Sequence, residues 1–251
     1  ARLPSNPPTC GWKELPRRFE KVAKLPATVE EFFWGDNGNS EGAAGDWRGV
    51  SWWGTQVDCG GNLRGKKIFL DFEAVYLRAE VYVNRNLAGY DIVGNTPFEA
   101  DVTHFIKIGE KNDIAVRVTD PNGNFDYNDL EGMRWGGNIL PAGHGFGGIP
   151  GRVLLRAVDP VYIDDIYVRN TPSITDADVV ITMKNGERSP RRGIFTIRAY
   201  PCDHPEKTVW RKKYNRHVKA GESQYVFRMR PDRVDIWDID HPNLYMAEVS
   251  F

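Results

Sequence analysis

The sequence has no apolar run approaching the roughly 20 residues a membrane-crossing helix needs, so no such helix is expected. It also has almost no net charge: 33 Lys and Arg stand against 34 Asp and Glu, giving −1. The two signs are interleaved, which offers no electrostatic reason to expect nucleic acid or an anionic membrane as partner. Cysteine is scarce. Cys10, Cys59 and Cys202 form no C-x-x-C pair, and an odd set of three is not a disulfide framework. Each reads as a buried thiol, with one bridge as the alternative, and the compartment stays open. Helical periodicity is nearly absent; the one helical turn expected is at 28–33, where a Thr precedes Glu30 and Glu31 as an N-cap would. There is no G-x-S-x-G, no His pair at metal-ligand spacing, and Cys202-Asp203-His204 is too compact to chelate one ion. No two carboxylates stand at a spacing that assigns acid and nucleophile. The chain opens on ARLPSNPPTCGW, without Met or a signal-peptide pattern, and reads as the start of a trimmed or mature chain.

What is present is β-structure. The chain has 251 residues, 41% of them hydrophobic, enough for two cores. Ile68, Leu70 and Phe72 alternate with Lys67, Phe69 and Asp71; Ala79, Val81 and Val83 with Glu80 and Tyr82; Ile114, Val116 and Val118 with Ala115 and Arg117. That period of two predicts strands with one buried face. Turn residues at 86–89, 94–97 and 109–112 punctuate them. A break is expected at 158–160, after which strands resume at 162–168, 177–183, 193–200, 224–229 and 244–249, with Asn185-Gly186 as a turn. The expected organisation is all-β, one larger domain over 1–159 and a smaller immunoglobulin-like sandwich over 160–251. The last fifteen residues, WDIDHPNLYMAEVSF, read as a closing strand with Trp237 and Tyr245 in the core, and Phe251 is expected to fall at a domain boundary.

Several stretches raise chemistry. GHGFGG at 143–148 matches G-x-G-x-x-G, but glycine-rich loop precedes it and a Pro-led strand follows, so no nucleotide is expected; the glycines serve tight backbone turns. DPNGNFDYNDLE at 120–131 spaces Asp120, Asn122, Asn124, Asp126, Asn128 and Glu131 as a calcium loop would, but Phe125 stands where glycine is needed and a strand precedes it. A solvated turn is the plainer reading, and calcium in the 120–131 loop the alternative. Asp120 follows a strand, and a loop with Trp135 and His144 comes after it. Carboxylates bond sugar hydroxyls and aromatic faces stack on sugar rings; the ordinary alternative is a core Trp and a surface His. Of Trp52 and Trp53, one is expected in the core and the other at the surface.

In order and spacing, the run KKIFLDFEAVYLRAEVYVNRNLAGYDIVGNTPFEADVTHFIKIGEKNDIAVRV resembles the N-terminal sandwich of glycoside hydrolase family 2, the β-galactosidases, β-glucuronidases and β-mannosidases. LPAT (25–28), WRGVSWW (47–53) and FGGIPGRVLL (146–155) resemble its flanking blocks, and the tail with Pro242-Asn243-Leu244-Tyr245 resembles its second domain. Arg85 stands where the family has Gly, and Pro150-Gly151 where it commonly has Arg. The resemblance implies a jelly-roll, galactose-binding-like sandwich followed by an immunoglobulin-like one. It also implies that the two catalytic glutamates lie on a third domain, a (β/α)₈ barrel of about 250 residues. The family's acid/base lies in an Asn-Glu pair, and the sequence contains none. No catalytic residue is therefore expected here. Substrate contacts are expected from Asp120, Trp135 and His144, with a carbohydrate as partner through the catalytic domain and an oligomer possible for the parent enzyme. A free-standing carbohydrate-binding protein and a structural or adhesive β-sandwich protein are the competing readings.

Overall fold

The computed structural model describes residue 16 and residues 18–32, 49–120, 134–135, 138–139 and 147–251; for Gly49, Asp120, Arg134, Trp135, Asn138 and Ile139 it gives the backbone alone. The chain divides into two compact units, Ala1–Ala157 and Val158–Phe251. In chain order the strands are β1 (Ala27–Thr28), β2 (Gly49–Asp58), β3 (Lys67–Phe72), β4 (Arg78–Val83), β5 (Asn86–Asp91), β6 (Phe98–Asp101), β7 (Lys111–Asp120), β8 (Arg134–Trp135), β9 (Asn138–Ile139), β10 (Gly148–Ile149), β11 (Val153–Val158), β12 (Val161–Asn170), β13 (Ala177–Asn185), β14 (Arg191–Pro201), β15 (Trp210–Val218), β16 (Gly221–Met229) and β17 (Tyr245–Ser250). A 3-10 turn covers Gly61–Leu63. The class is all-β.

The first unit is a jelly-roll β-sandwich. One sheet runs β2-β7-β4-β5 and the other β11-β3-β6. Alternation puts Ile68, Leu70 and Phe72 of β3 in one core with Ala79, Val81 and Val83 of β4 and Ile114, Val116 and Val118 of β7. Phe72 stacks on Phe98 with ring centroids 4.6 Å apart. Trp53 packs against this core while Trp52 turns outward onto Tyr82, the division expected of adjacent strand residues. A short ribbon closes one end, with Ala27 opposite Ile149 and Thr28 opposite Gly148. Its glycine is obligatory: Gly148 has φ +121°, and a Cβ there would lie 2.9 Å from the Trp53 ring and 3.1 Å from the Ala27 carbonyl oxygen. The helical turn expected near Thr28 is a single turn, closed by the Phe32 N–H donating to the Val29 carbonyl.

The expected turn at 86–89 lies instead at Asn84-Arg85, with φ of 48° and 67°, and 86–91 is the strand β5. Two consecutive left-handed residues match the twist of a hairpin, and Asn tolerates that conformation through its own side-chain bonds. Asn84 Nδ2 donates to the Phe105 carbonyl and to Asn112 Oδ1, both at 2.7 Å.

The second unit is an immunoglobulin-like sandwich of two three-stranded sheets, β12-β13-β16 and β15-β14-β17. Its core holds Val179, Ile181 and Met183 of β13, Phe195 and Ile197 of β14, and Phe227 of β16. Burying side chains of this size stabilises by about 1.5–3 kcal/mol each. Three expectations need correction. Asn185-Gly186 is not a two-residue turn; Asn185 is buried and donates to the Ser189 and Val218 carbonyls, pinning a longer connection. Trp237 is not core but 58% exposed, because the 230–244 connection lies outside the sheets, while Tyr245 is half-buried with its hydroxyl accepting from the Asp235 N–H. Cys59 is a buried thiol, but Cys202 is exposed in the turn after β14.

Candidate functional site

The strand β4 is buried on both faces. Ala79, Val81 and Val83 face the core, and the opposite face presents Arg78, Glu80 and Tyr82. Register places Glu80 beside Arg117 of β7 and Tyr90 of β5, with Trp52 of β2 on the far side of Arg117. The next row pairs Arg78 with Thr119. Arg117 Nη1 lies 3.2 Å from Glu80 Oε1 and donates to Thr119 Oγ1 at 3.0 Å, while the Tyr82 hydroxyl donates to Glu80 Oε2. Both carboxylate oxygens of Glu80 are thus engaged.

An ion pair this buried gives up hydration on both sides, and its geometry must compensate. Here it spans two strands and carries a hydroxyl on each flank, which fixes β4 against β7 three residues before Asp120. Alternation gave the strands but not this burial: Arg and Glu at outward positions look like an ordinary solvated face. Only the Tyr between the Val residues hinted at a second covered surface.

Of the three residues expected to meet substrate, the backbone of Asp120 ends β7 and pairs with Gly49. The backbone of Trp135 ends β8 and pairs with Asn138. Their side chains, all of His144, and the 121–131 segment of the calcium expectation lie outside the described residues. So do Cys10 and Trp47. Among the described residues no group of three His, Cys, Asp or Glu side chains could hold a metal ion, and no helix is long and apolar enough to cross a membrane.

Between β10 and β11, Gly151 stands where its missing side chain matters, since a Cβ would lie 2.4 Å from the Ala74 nitrogen. The Arg follows one residue later: Arg152 Nε donates to Glu73 Oε1 at 2.8 Å. The Arg152 hydrogen bonds hold the Glu73 carboxyl below its usual range. Arg156 likewise bridges Asp71 and Glu99. A cavity of about 670 Å³ lies in the same unit, walled by Leu25, Phe32, Trp53, Phe72 and Val116. Its volume suits a small ligand, and Arg18, Glu20, Lys21, Ser51 and Thr55 also line it, so its walls mix apolar surface with polar groups.

The family model described as "Glycosyl hydrolases family 2, sugar binding domain" matches residues 47–135, and "Glycosyl hydrolases family 2" matches residues 161–251. A beta-galactosidase of Thermoanaerobacter pseudethanolicus is 29% identical over 214 residues, covering 82% of this chain and 26% of that protein. A beta-glucuronidase of Formosa agariphila is 33% identical over 222 residues, covering 83% of this chain and 22% of that protein. The crystal structure of Bacteroides uniformis beta-glucuronidase superposes with a TM-score of 0.68 at 22% identity, over 91% of this chain and 26% of that one. The chain therefore spans about a quarter of the length of these relatives.

Proposed function

The chain belongs to glycoside hydrolase family 2, and from that membership we propose that it is the non-catalytic front part of a retaining β-glycosidase. In this reading 1–159 is the sugar-binding-like jelly roll and 160–251 the immunoglobulin-like support. The loop leaving β7 at Asp120 partly lines the sugar pocket of the parent enzyme, with Asp120 bonding hydroxyls and Trp135 and His144 as further contacts. The carrying observation is the match of both domains, in family order, to about a quarter of each relative's length. The Arg117–Glu80 row supports the loop assignment, because it stiffens the strand end from which the loop departs.

The 251-residue chain, incubated with aryl β-galactosides and β-glucuronides, is expected to show no turnover. Hydrolysis that persists through purification and disappears on substituting a carboxylate of this chain would overturn the reading. In a parent enzyme carrying this segment, Asp120→Ala is expected to raise KM or lower kcat/KM at least tenfold without changing the melting temperature. An unchanged kcat/KM would remove Asp120 from the pocket.

A further inference from the structure

We propose that the outward face of the sheet β15-β14-β17 binds a carboxylate-bearing oligosaccharide, a uronate chain. The inference rests on the carbohydrate reading above but names a ligand class and a surface distinct from the loop at Asp120.

The cross-strand register defines the face. Arg198 of β14 lies opposite Arg211 of β15 on one side and Glu248 of β17 on the other; Thr196 lies between Lys213 and Ser250; Arg192 lies opposite His217. Like charges directly opposed across strands are destabilising, so the Arg198–Arg211 pairing works against the fold. One carboxylate, Glu248, answers it: Arg198 Nη2 donates to Glu248 Oε2 at 2.7 Å. That hydrogen bond, together with nearby Arg211, holds the Glu248 carboxyl below its usual range. Arg211 and Lys213 are exposed and make no ion pair among the described residues. Arg192 is exposed too, and among the described residues its guanidinium donates only to the neutral Asn215 Oδ1.

The opposite sheet of the same unit is the internal control. There Arg169 and Arg228 both pair with Asp178, Arg230 with Asp176, and Lys184 with Asp164. On one face each of these cations meets a carboxylate, and on the other Arg192, Arg211 and Lys213 meet none among the described residues. Protection of an exposed edge explains Lys and Arg on β15, which is an edge strand. It does not explain Arg198, which lies where β14 is paired on both sides, with Arg211 across one strand and Glu248 across the other.

The surface chemistry selects the ligand. Guanidinium forks meet carboxylates bidentately, which distinguishes a uronate from a neutral sugar. Thr196, Asn215 and Ser250 stand between the cations as donors and acceptors for hydroxyls. Arg192 and Arg198 are six residues apart on one strand, about 20 Å, so the face suits an extended chain rather than a single sugar.

The test is titration of the 251-residue chain with oligogalacturonate at low and at high NaCl. The expected result is saturable binding that weakens with salt, falls at least tenfold in Arg211→Gln/Lys213→Gln, and is unchanged in Arg169→Gln/Arg230→Gln, which removes two charges from the opposite sheet. Both double variants alter exposed side chains, and melting curves verify their folding. No binding at low salt, equal weakening in both doubles, or equally tight binding of a neutral oligosaccharide or of duplex DNA would each overturn the proposal. None of these outcomes touches the hydrolysis test, so the two readings fail separately.

Discussion

Arg85 shows how a residue at odds with its position is accommodated. Its φ of 67° is one a glycine adopts without cost. The turn nevertheless closes, because Asn84 anchors it to Phe105 and Asn112 and accepts from the Asp113 N–H at 3.1 Å. Arg85→Gly is therefore expected to leave urea stability unchanged or raise it by up to about 1 kcal/mol, while Asn84→Ala costs about 1–3 kcal/mol through its unpaired partners. The cysteines make a second prediction at this scale. Burial, then the charge of Asp58, pushes the Cys59 thiol up, whereas Cys202 is exposed. In a Cys10→Ser background a disulfide reagent is expected to modify one thiol promptly, removed by Cys202→Ser, and Cys59 only on unfolding.

At the scale of elements, the strands whose inward positions are uniformly apolar were legible from alternation: β3, β4, β7, β12, β13, β14, β16 and β17. The strand β15 was not. Its sequence WRKKYNRHV puts Trp210, Tyr214 and Val218 inward, but Lys212 and Arg216 occupy the inward positions between them. Their cations lie 5.4 and 5.6 Å from the Tyr214 ring centroid, so the long side chains cover the core edge while the charges reach water. The outward row on β4 was hidden for the converse reason: polar residues at polar positions turned out buried. Glu80→Ala would remove the buried carboxylate that meets Arg117 and accepts from the Tyr82 hydroxyl, an expected loss of about 3–5 kcal/mol by urea denaturation. Trp237→Ala, in the exposed connection, is expected to cost under about 0.5 kcal/mol, against about 3–5 kcal/mol for Phe195→Ala in the core. Sequence pattern could place Asp120 at a strand end; it could not reveal the ion pair that holds that end.

At the scale of the whole molecule, arginine–carboxylate pairs set the response to acid. Asp178 is held below its usual range by the Arg228 hydrogen bond and then by Arg169; Glu73 by Arg152, Glu187 by Arg191 and Glu248 by Arg198 behave alike. A carboxyl depressed in the native state stabilises it at pH above the unfolded value, about 4, and loses that contribution as pH falls through the native value. The urea midpoint is expected to stay flat from pH 7 to about 5, then to fall steadily. Arg228→Gln should make that fall shallower, and an identical slope would remove Asp178 from the account.

The second sandwich closes late along its own chain. Its central strand β14 pairs with β17, joining Thr196 to Ser250, and the Phe251 ring lies over Gly193 with its centroid 4.8 Å from that of Phe195. During synthesis, which runs from the N-terminus, β12 to β16 emerge before the strand that completes the β14 sheet. Until Phe251 clears the ribosome, one edge of β14 stays unpaired and Phe195 is partly uncovered. The nascent domain must therefore wait through that interval with an open strand edge, the state in which chaperone capture or mispairing between neighbouring nascent chains competes with folding.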